Sequence, residues 1–585
     1  VESTVNIPFL LCATILATAT LPATASPAGA RFQALYTREW NWRLQELAWN
    51  PGANAPIPDR LPRIDAASQA RRLAYWQQVL AELDEIPRNE LPPADQVNYD
   101  VYRNQIQVLI TRQRFRTYEM PANSDSSFWS GLGYTARRSF RSTQDYGNWI
   151  AQMRDLPRYF DEQVAQMRAG MERGFTPPRV TLENRSSTIE SVVRARPEET
   201  FFYTPFKSML AGIPEAEQAR LRAEAISVIR ESVQPAYGKL LRFWNEEYVP
   251  SARATTAAFD LPDGPAFYQS QIAEYTTLDL TPAQIHEIGV AEVATLHAEM
   301  LRAMKEAGFS GDFEEFLGFL ASDARFQASS PQDLLNRAAW IAKVFDGKAA
   351  QYFGHLPRGR FAIKPVPDDI APFYTAGRGG PDTYMLNTYK VSERPLYNLT
   401  ALTLHESAPG HAFQMSLARE DKSLPDFRRY TYISAYGEGW ALYAEWLGQE
   451  MGMYTTPYDR FGMLGYQIWR AARLVVDTGL HSQGWSRQQA VDYLRQYTAL
   501  PPQEIETEVD RYISWPAQAL SYYLGEMAIR RGREKAEAAL GGKFNIRAFH
   551  DGILALGSVP LPVLDEYIGR FIAGGGVGPY PDEEK

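Results

Sequence analysis

Apolar residues recur at three- and four-residue spacing through most of the chain. "TREWNWRLQELAW" (37–49), "AASQARRLAYWQQVLAELDEI" (66–86) and "DQVNYDVYRNQIQVLITRQ" (95–113) carry that rhythm and predict three helices with one apolar stripe each. Helix starts are also marked. "STQD" (142–145) has the arrangement of a capping box, and "TPAQI" (281–285) and "SPQDL" (330–334) set a proline after a hydroxyl cap. The stretch 215–249 predicts a long helix kinked at Pro235. One region breaks the rhythm. "RFAIKPVPDDIAPFYTAGRGGPDTYMLNTYK" (360–390) is rich in Pro, Gly and aromatics, and its pieces "FAIKPV" and "TYMLNTY" predict a small sheet that leans on helices. The pattern therefore predicts a mainly α fold. It has an N-terminal helical region over 27–280 and a second helical region over 281–585 that contains the sheet. No Gly/Ser-rich linker separates the two, so they are expected to form one compact unit.

The beginning of the chain differs. "NIPFLLCATILATATLPATAS" (6–26) is an apolar run ending in small residues, which resembles the later parts of a secretory signal peptide over 1–26. A basic n-region is missing and Glu2 is acidic; the other reading is a buried or anchoring helix. Export, to the periplasm or beyond, is the expectation. Cys12 is the sole cysteine and falls in this run, so a chain cut near 26 would hold no disulfide. The "FLL" before it lacks the small residue that a lipoprotein signal places there. No other apolar run is long enough to span a bilayer, so no stable membrane insertion is expected after leader removal. Composition adds little: 585 residues, 45% hydrophobic and 22% charged, are ordinary for a globular protein. A net charge of −9 and a pI near 5.5 give no reason to expect a nucleic-acid partner. Oligomeric state is not legible.

Chemistry concentrates in "LTLHESAPGHAFQ" (402–414), which holds two of the seven histidines beside a glutamate. His405 and His411 are six apart, so a straight helix would point them to different sides. Pro409 lacks an N–H and clashes with the carbonyl four residues back, while Gly410 relaxes the backbone. The helix must bulge or break at "APG", and that can return His411 toward His405. Two readings follow: a metal site, or a helix end with two unrelated histidines. A third ligand would favour the first. "YISAYGEGWALYAEWLGQEMG" (432–452) reads as a helix and offers Glu438 between two glycines, with Glu445 as the fallback. The glycines suggest close approach by another backbone, expected to be that of the histidine helix. One Zn2+ held by His405, His411 and Glu438 would lower the pKa of its water to roughly 7, and Glu406 would act as general base. Tyr522 or Tyr523 could supply an oxyanion donor. His481 is a further catalytic candidate, with Asp477 as its orienting partner. His286, His297 and His550 read as structural. Arg470 and Arg473 could bind a substrate carboxylate, but pairing along the helix face is the better reading.

"LHESAPGHAFQ", "YGEGWALYAE", "RLVVDTGLHSQGWS" and "WPAQALSYYLGE", in this order, resemble the bacterial family catalogued as domain of unknown function 885. Its members are similar to gluzincin metallopeptidases of the thimet-oligopeptidase and neurolysin type. The likeness runs from "REWNWRLQELAWNPG" (38–52) to "FHDGILALGSVPLPVLDEYI" (549–568). The family's "HE…PGH" maps onto His405, Glu406 and His411, and its glycine-flanked acid onto Glu438. Many members carry a second histidine directly after "PGH", where this chain has Ala412; if that imidazole were the ligand, this chain would be metal-poor. The resemblance implies a zinc peptidase with a deep channel. "TYMLNTY" would be an edge strand pairing with a peptide substrate, and Asn387 and Tyr523 would lie beside that substrate. A catalytically silent binder of peptides or cell-wall fragments, and a hydrolase of non-peptide amides, are the alternatives.

Overall fold

A computed structural model describes residues 27–583 apart from 53, 125 and 369. The apolar run 6–26 and Cys12 lie outside the described residues. The chain is mainly α-helical, and the capping signals are realised. Ser142 and Thr281 each close a capping box, with Asp145 and Gln284, and Ser330 caps the helix that opens at Pro331. The helical stretch from Glu215 to Ser251 departs from the single kink expected at Pro235. It contains two wide π turns, Ile229–Val233 and Trp244–Tyr248, each just ahead of a proline, Pro235 and Pro250. A proline cannot donate to the carbonyl four residues back, and a wider turn re-registers the bonds around it.

Among the described residues, apolar side chains gather in three cores. One is formed within residues 57–252, around Trp149, Phe202, Tyr237 and Trp244. A second joins the first helices (Phe32, Val101) to the C-terminal part (Leu404, Trp440, Ile553). The third holds Met300, Leu386, Leu474 and Leu524. Packing therefore does not follow the boundary read near residue 280, because helices between 27 and 115 share their core with residues 404–571.

The helices that carry the site are α1 (Pro282–Glu306), α2 (Leu396–Glu406), α3 (His411–Glu420), α4 (Ser434–Glu450), α5 (Pro457–Ser482), α6 (Pro502–Ser514) and α7 (Ser521–Leu540). α5 is buried along almost its whole length, packing on α1, α2 and α4. α4 crosses α7 where Gly439 meets Gly525; a Cβ on Gly439 would lie 2.4 Å from the Gly525 carbonyl carbon. The backbone that approaches the glycine-flanked acid is thus α7, not the histidine helix, and Gly437 instead makes room for the Tyr432 ring.

The sheet has three strands, β1 (Ala362–Pro365), β2 (Gly377–Gly379) and β3 (Thr383–Leu386), in the order β1-β3-β2. β1 pairs parallel to β3 with Ile363 opposite Tyr384, and β2 antiparallel with Arg378 opposite Met385. "TYMLNTY" supplies the central strand, not an edge. It is central because it pairs on both sides, and its Tyr384 and Leu386 are buried.

Candidate metal centre

α2 ends at Glu406, where Ser407 leaves helical geometry at φ −110°, ψ −102°. The next helix opens at His411, so the chain breaks at "APG" and does not merely bulge. Three bonds hold the break. Gly410 N–H donates to Leu404 O (3.0 Å), Phe413 N–H to Ser407 O (3.1 Å), and the buried Trp440 indole of α4 to Pro409 O (2.7 Å). The break brings the two imidazoles together with ring centroids 4.8 Å apart and planes perpendicular. Ala412 is buried and does not line the cavity.

Glu438, one turn into α4, faces both rings. Its Oε2 stands 3.6 Å from His405 Nε2 and 3.2 Å from His411 Nε2. One donor atom from each of the three lies within 4.8 Å of the others. In a tetrahedral zinc site with bonds of about 2.0–2.1 Å, neighbouring ligand atoms stand about 3.3 Å apart. The two Glu438 separations match that spacing, and two imidazoles with one carboxylate are a donor set that suits such an ion and leaves a fourth position for water.

The surroundings orient these donors. Glu445 lies seven residues after Glu438, on the same face of α4, and accepts from His405 Nδ1–H at 2.7 Å. That bond keeps a proton on Nδ1, so when a cation displaces the second proton the Nε2 lone pair is the one left facing Glu438. Glu445 is therefore an outer partner of His405 and not a ligand itself. Tyr432 donates its hydroxyl to Glu438 Oε1 (2.7 Å), leaving Oε2 to the histidines. Burial opposes charge on His405, but the Glu438 and Glu445 carboxylates outweigh it and hold its pKa up at about 10. Burial likewise opposes a charged Glu438, yet His411 and His405 hold it well below the ordinary carboxylate range. The arrangement stabilises positive charge between these residues.

Glu406 lies beside the donors, and its Oε2 accepts from Gly379 N–H at 2.5 Å. On β2 the bonds from Asn387 N–H to Ala376 O and from Gly380 N–H to Thr383 O set the alternation. Gly377 and Gly379 consequently point their backbone groups away from β3; the Gly379 N–H meets Glu406 of α2, and Gly377 lines the cavity. Only glycine fits at 379, since a Cβ there would lie 2.0 Å from Glu406 O.

These residues line a cavity of about 640 Å³ whose wall also includes Tyr432, Tyr522, Arg470 and Arg473. Tyr522 reaches it, and its hydroxyl accepts from Arg511 Nη2 (3.2 Å). Three other candidates do not line it. His481 is fully buried, its Nδ1 accepting from Ala258 N–H (3.0 Å) and its Nε2–H donating to Tyr512 O (2.9 Å), so neither nitrogen is free for chemistry. Asp477 does not orient it, since Asp477 instead accepts from the Tyr268 hydroxyl and Ala517 N–H. Asn387 is fully buried behind the sheet, donating its amide to the carbonyls of Ala371, Tyr374 and Thr375. Tyr523 donates to Glu292 at 2.8 Å. His286 and His550 are structural, bonded to Thr478 and to Tyr443 and Tyr352. Tyr432 and Gly379 were not among the expected site residues; the aromatic six residues before Glu438 and the glycine-rich "GRG" become informative only once the break at 407–410 is placed.

The fold defines a mainly helical protein whose small sheet and broken helix enclose a buried cluster of two histidines and an acid. The chain belongs to the family of bacterial proteins of unknown function DUF885, whose model matches residues 48–568. Among solved structures it is similar to a candidate lipoprotein from Colwellia psychrerythraea, with a TM-score of 0.86 and 24% identity over 94% of this chain and 98% of that one. It is also similar to a candidate lipoprotein of unknown function from Shewanella oneidensis, with a TM-score of 0.64 and 16% identity over 93% and 99% of the two chains. No curated protein matches the chain in sequence. Among the described residues no helix is long and apolar enough to cross a membrane.

Proposed function

We propose that this chain is an exported zinc-dependent peptidase that cleaves amide bonds of short peptides. The observation that carries the reading is the convergence of His405, His411 and Glu438 within 4.8 Å, with Glu406 beside them and Glu445 behind His405. Zinc, when bound, supplies a Lewis acid and a water whose pKa is lowered to roughly 7. Glu406 takes the proton of the attacking water and passes it to the leaving amine, while Gly379 N–H holds its other oxygen in place. Tyr522 keeps its own hydroxyl proton available for the oxyanion that develops on the cleaved carbonyl. The outer edge of β2 offers the Gly377 backbone to an extended peptide, the role first read into "TYMLNTY". A cavity of about 640 Å³ favours short peptides over folded chains. The apolar run 6–26 and the description of both similar structures as candidate lipoproteins support a place in the cell envelope, periplasmic or secreted.

Metal analysis of purified protein tests this reading. About one zinc per chain is expected, lost in His411→Ala, together with peptide cleavage that a chelator abolishes and zinc restores. Protein that retains no transition metal, and whose thermal midpoint zinc does not raise, overturns it. Zinc binding without cleavage of any peptide points instead to a binding protein or to non-peptide amides.

A further inference from the structure

Two arginines on α5 line the same cavity with donors unspent. Arg470 and Arg473 are three residues apart, hence on one helix face, and are only 4% and 2% exposed. Arg470 Nε has no hydrogen-bond partner, and its Nη1 makes one long contact to Tyr466 O (3.4 Å). The carboxylate nearest to it, Glu445, is 3.9 Å away and already holds His405. Its guanidinium instead lies over the Trp469 ring at 4.0 Å and the Tyr466 ring at 4.5 Å. Arg473 is partly spent, on Glu508 (2.8 Å) and the Tyr512 hydroxyl (3.0 Å), but its Nη1 is buried without a partner. Its guanidinium lies over both Trp469 and Tyr522, each at 4.4 Å.

Buried charge is normally paired, and a guanidinium fork matches a carboxylate with two parallel bonds. Aromatic faces hold such a fork rigid without consuming its N–H groups. Glu504 on α6 is a further acid of the cavity wall, beside the Glu508 already paired with Arg473. Burial, with the neighbouring Glu508, raises its pKa, so it competes poorly as the missing anion. We infer that Arg470 and Arg473 form a carboxylate-binding subsite, and that the peptides taken by this cavity dock there by a free C-terminal carboxylate. This rests on the peptidase reading for its ligand and makes the enzyme one that acts at chain ends. An acidic side chain offers the same chemistry, and the test separates the two.

The test uses N-acetylated pentapeptides with uncharged side chains, each prepared as free acid and as C-terminal amide, and a third set of amides bearing one glutamate. Cleavage by the zinc-loaded full chain and binding to Glu406→Gln by calorimetry are both read. Free acids are expected to exceed their amides at least about 100-fold in kcat/KM, mostly through KM, and to bind correspondingly tighter. Arg470→Gln should bring that ratio near one, and Arg470→Lys should restore part of it. A merely structural loss would slow acid and amide alike and leave the ratio intact. The wild-type comparison decides the matter even if a variant fails to fold. Equal handling of acid and amide overturns the subsite while the peptidase reading stands. Preference for the glutamate amides overturns the C-terminal assignment. If nothing is cleaved, the peptidase reading fails, and calorimetry still decides: acid-selective binding sustains the subsite, and equal or absent binding ends it.

Discussion

His405 and His481 occupy like positions, each buried near the C-terminal end of a helix, α2 and α5. Their surroundings drive them in opposite directions. His481 spends both ring nitrogens on the backbone, Ala258 N–H on one side and Tyr512 O on the other, and burial pushes its pKa down to about 3. His405 meets Glu445 through one nitrogen and turns the other toward Glu438, and its pKa stands at about 10 although burial opposes the charge. Burial alone does not set the state of a histidine; the charge of its partners does. The His481 region is a neutral clamp, joined one turn earlier by Asp477, which ties Tyr268 to Ala517. The His405 region keeps an imidazole nitrogen and a carboxylate oxygen facing one point, as a cation requires.

The largest expected effect comes from removing the base while leaving the cluster untouched. Glu406→Gln should keep zinc at one per chain and reduce peptide turnover by about 10²–10⁴-fold. Metal content and kcat measured on the same preparation check this, and unchanged turnover would remove Glu406 from the chemistry. Next in size is the partner behind His405. Glu445→Gln preserves shape but replaces the carboxylate that sets the His405 tautomer, and zinc affinity should fall about 10–100-fold. Competition with a chromophoric chelator reads that change. The same competition on His481→Gln should show no change, because His481 touches no residue of the cluster. A loss of zinc affinity there would erase the contrast between the two regions.

What was legible in the sequence divides along the same line. Period and caps announced the helical class, because each helix writes its own stripe and start. The break at "APG" was legible because Pro409 cannot extend α2, and the convergence of His405, His411 and Glu438 follows from it. His481, Asn387 and Tyr523 were misplaced for one shared reason. A sequence shows which polar groups exist and not which are already spent. The Asn387 amide is consumed by three carbonyls of the 371–375 turn, and the Tyr523 hydroxyl by Glu292, a partner 231 residues away. Strand order escaped for a different reason: "GRG" has no strand-like side chains, so β2 is a strand only because β3 pairs with it and Glu406 takes the Gly379 N–H. Arg470 and Arg473 looked like members of a paired helix face, and the absence of enough partners became visible only in the packed cavity.

The smallest effect concerns stability and isolates the neutral clamp. An unfolded histidine titrates near 6.5, whereas His481 in the fold does so at about 3. The unfolded chain therefore binds a proton that the native one refuses. This stabilising contribution is fully present above pH 6.5 and is lost as the pH falls from there toward 3. Between pH 7 and pH 5.5 the loss amounts to about 1 kcal/mol for one such site. His550, also held near 3 by burial, adds a loss of the same sign. Asp477 works the other way, because burial raises its pKa to about 7 and the native state then gains a proton over the same interval. The wild-type slope alone is thus a mixture, and the informative quantity is the difference between wild type and His481→Gln. Urea unfolding of both at pH 7 and pH 5.5 should show wild type more stable by about 1–3 kcal/mol at pH 7, for the two bonds lost to the backbone. That advantage should shrink by about 1 kcal/mol at pH 5.5. An advantage that stays constant or grows on acidification would mean that His481 carries a proton in the fold. The clamp would then be charged, and its difference from the His405 cluster would be one of degree only.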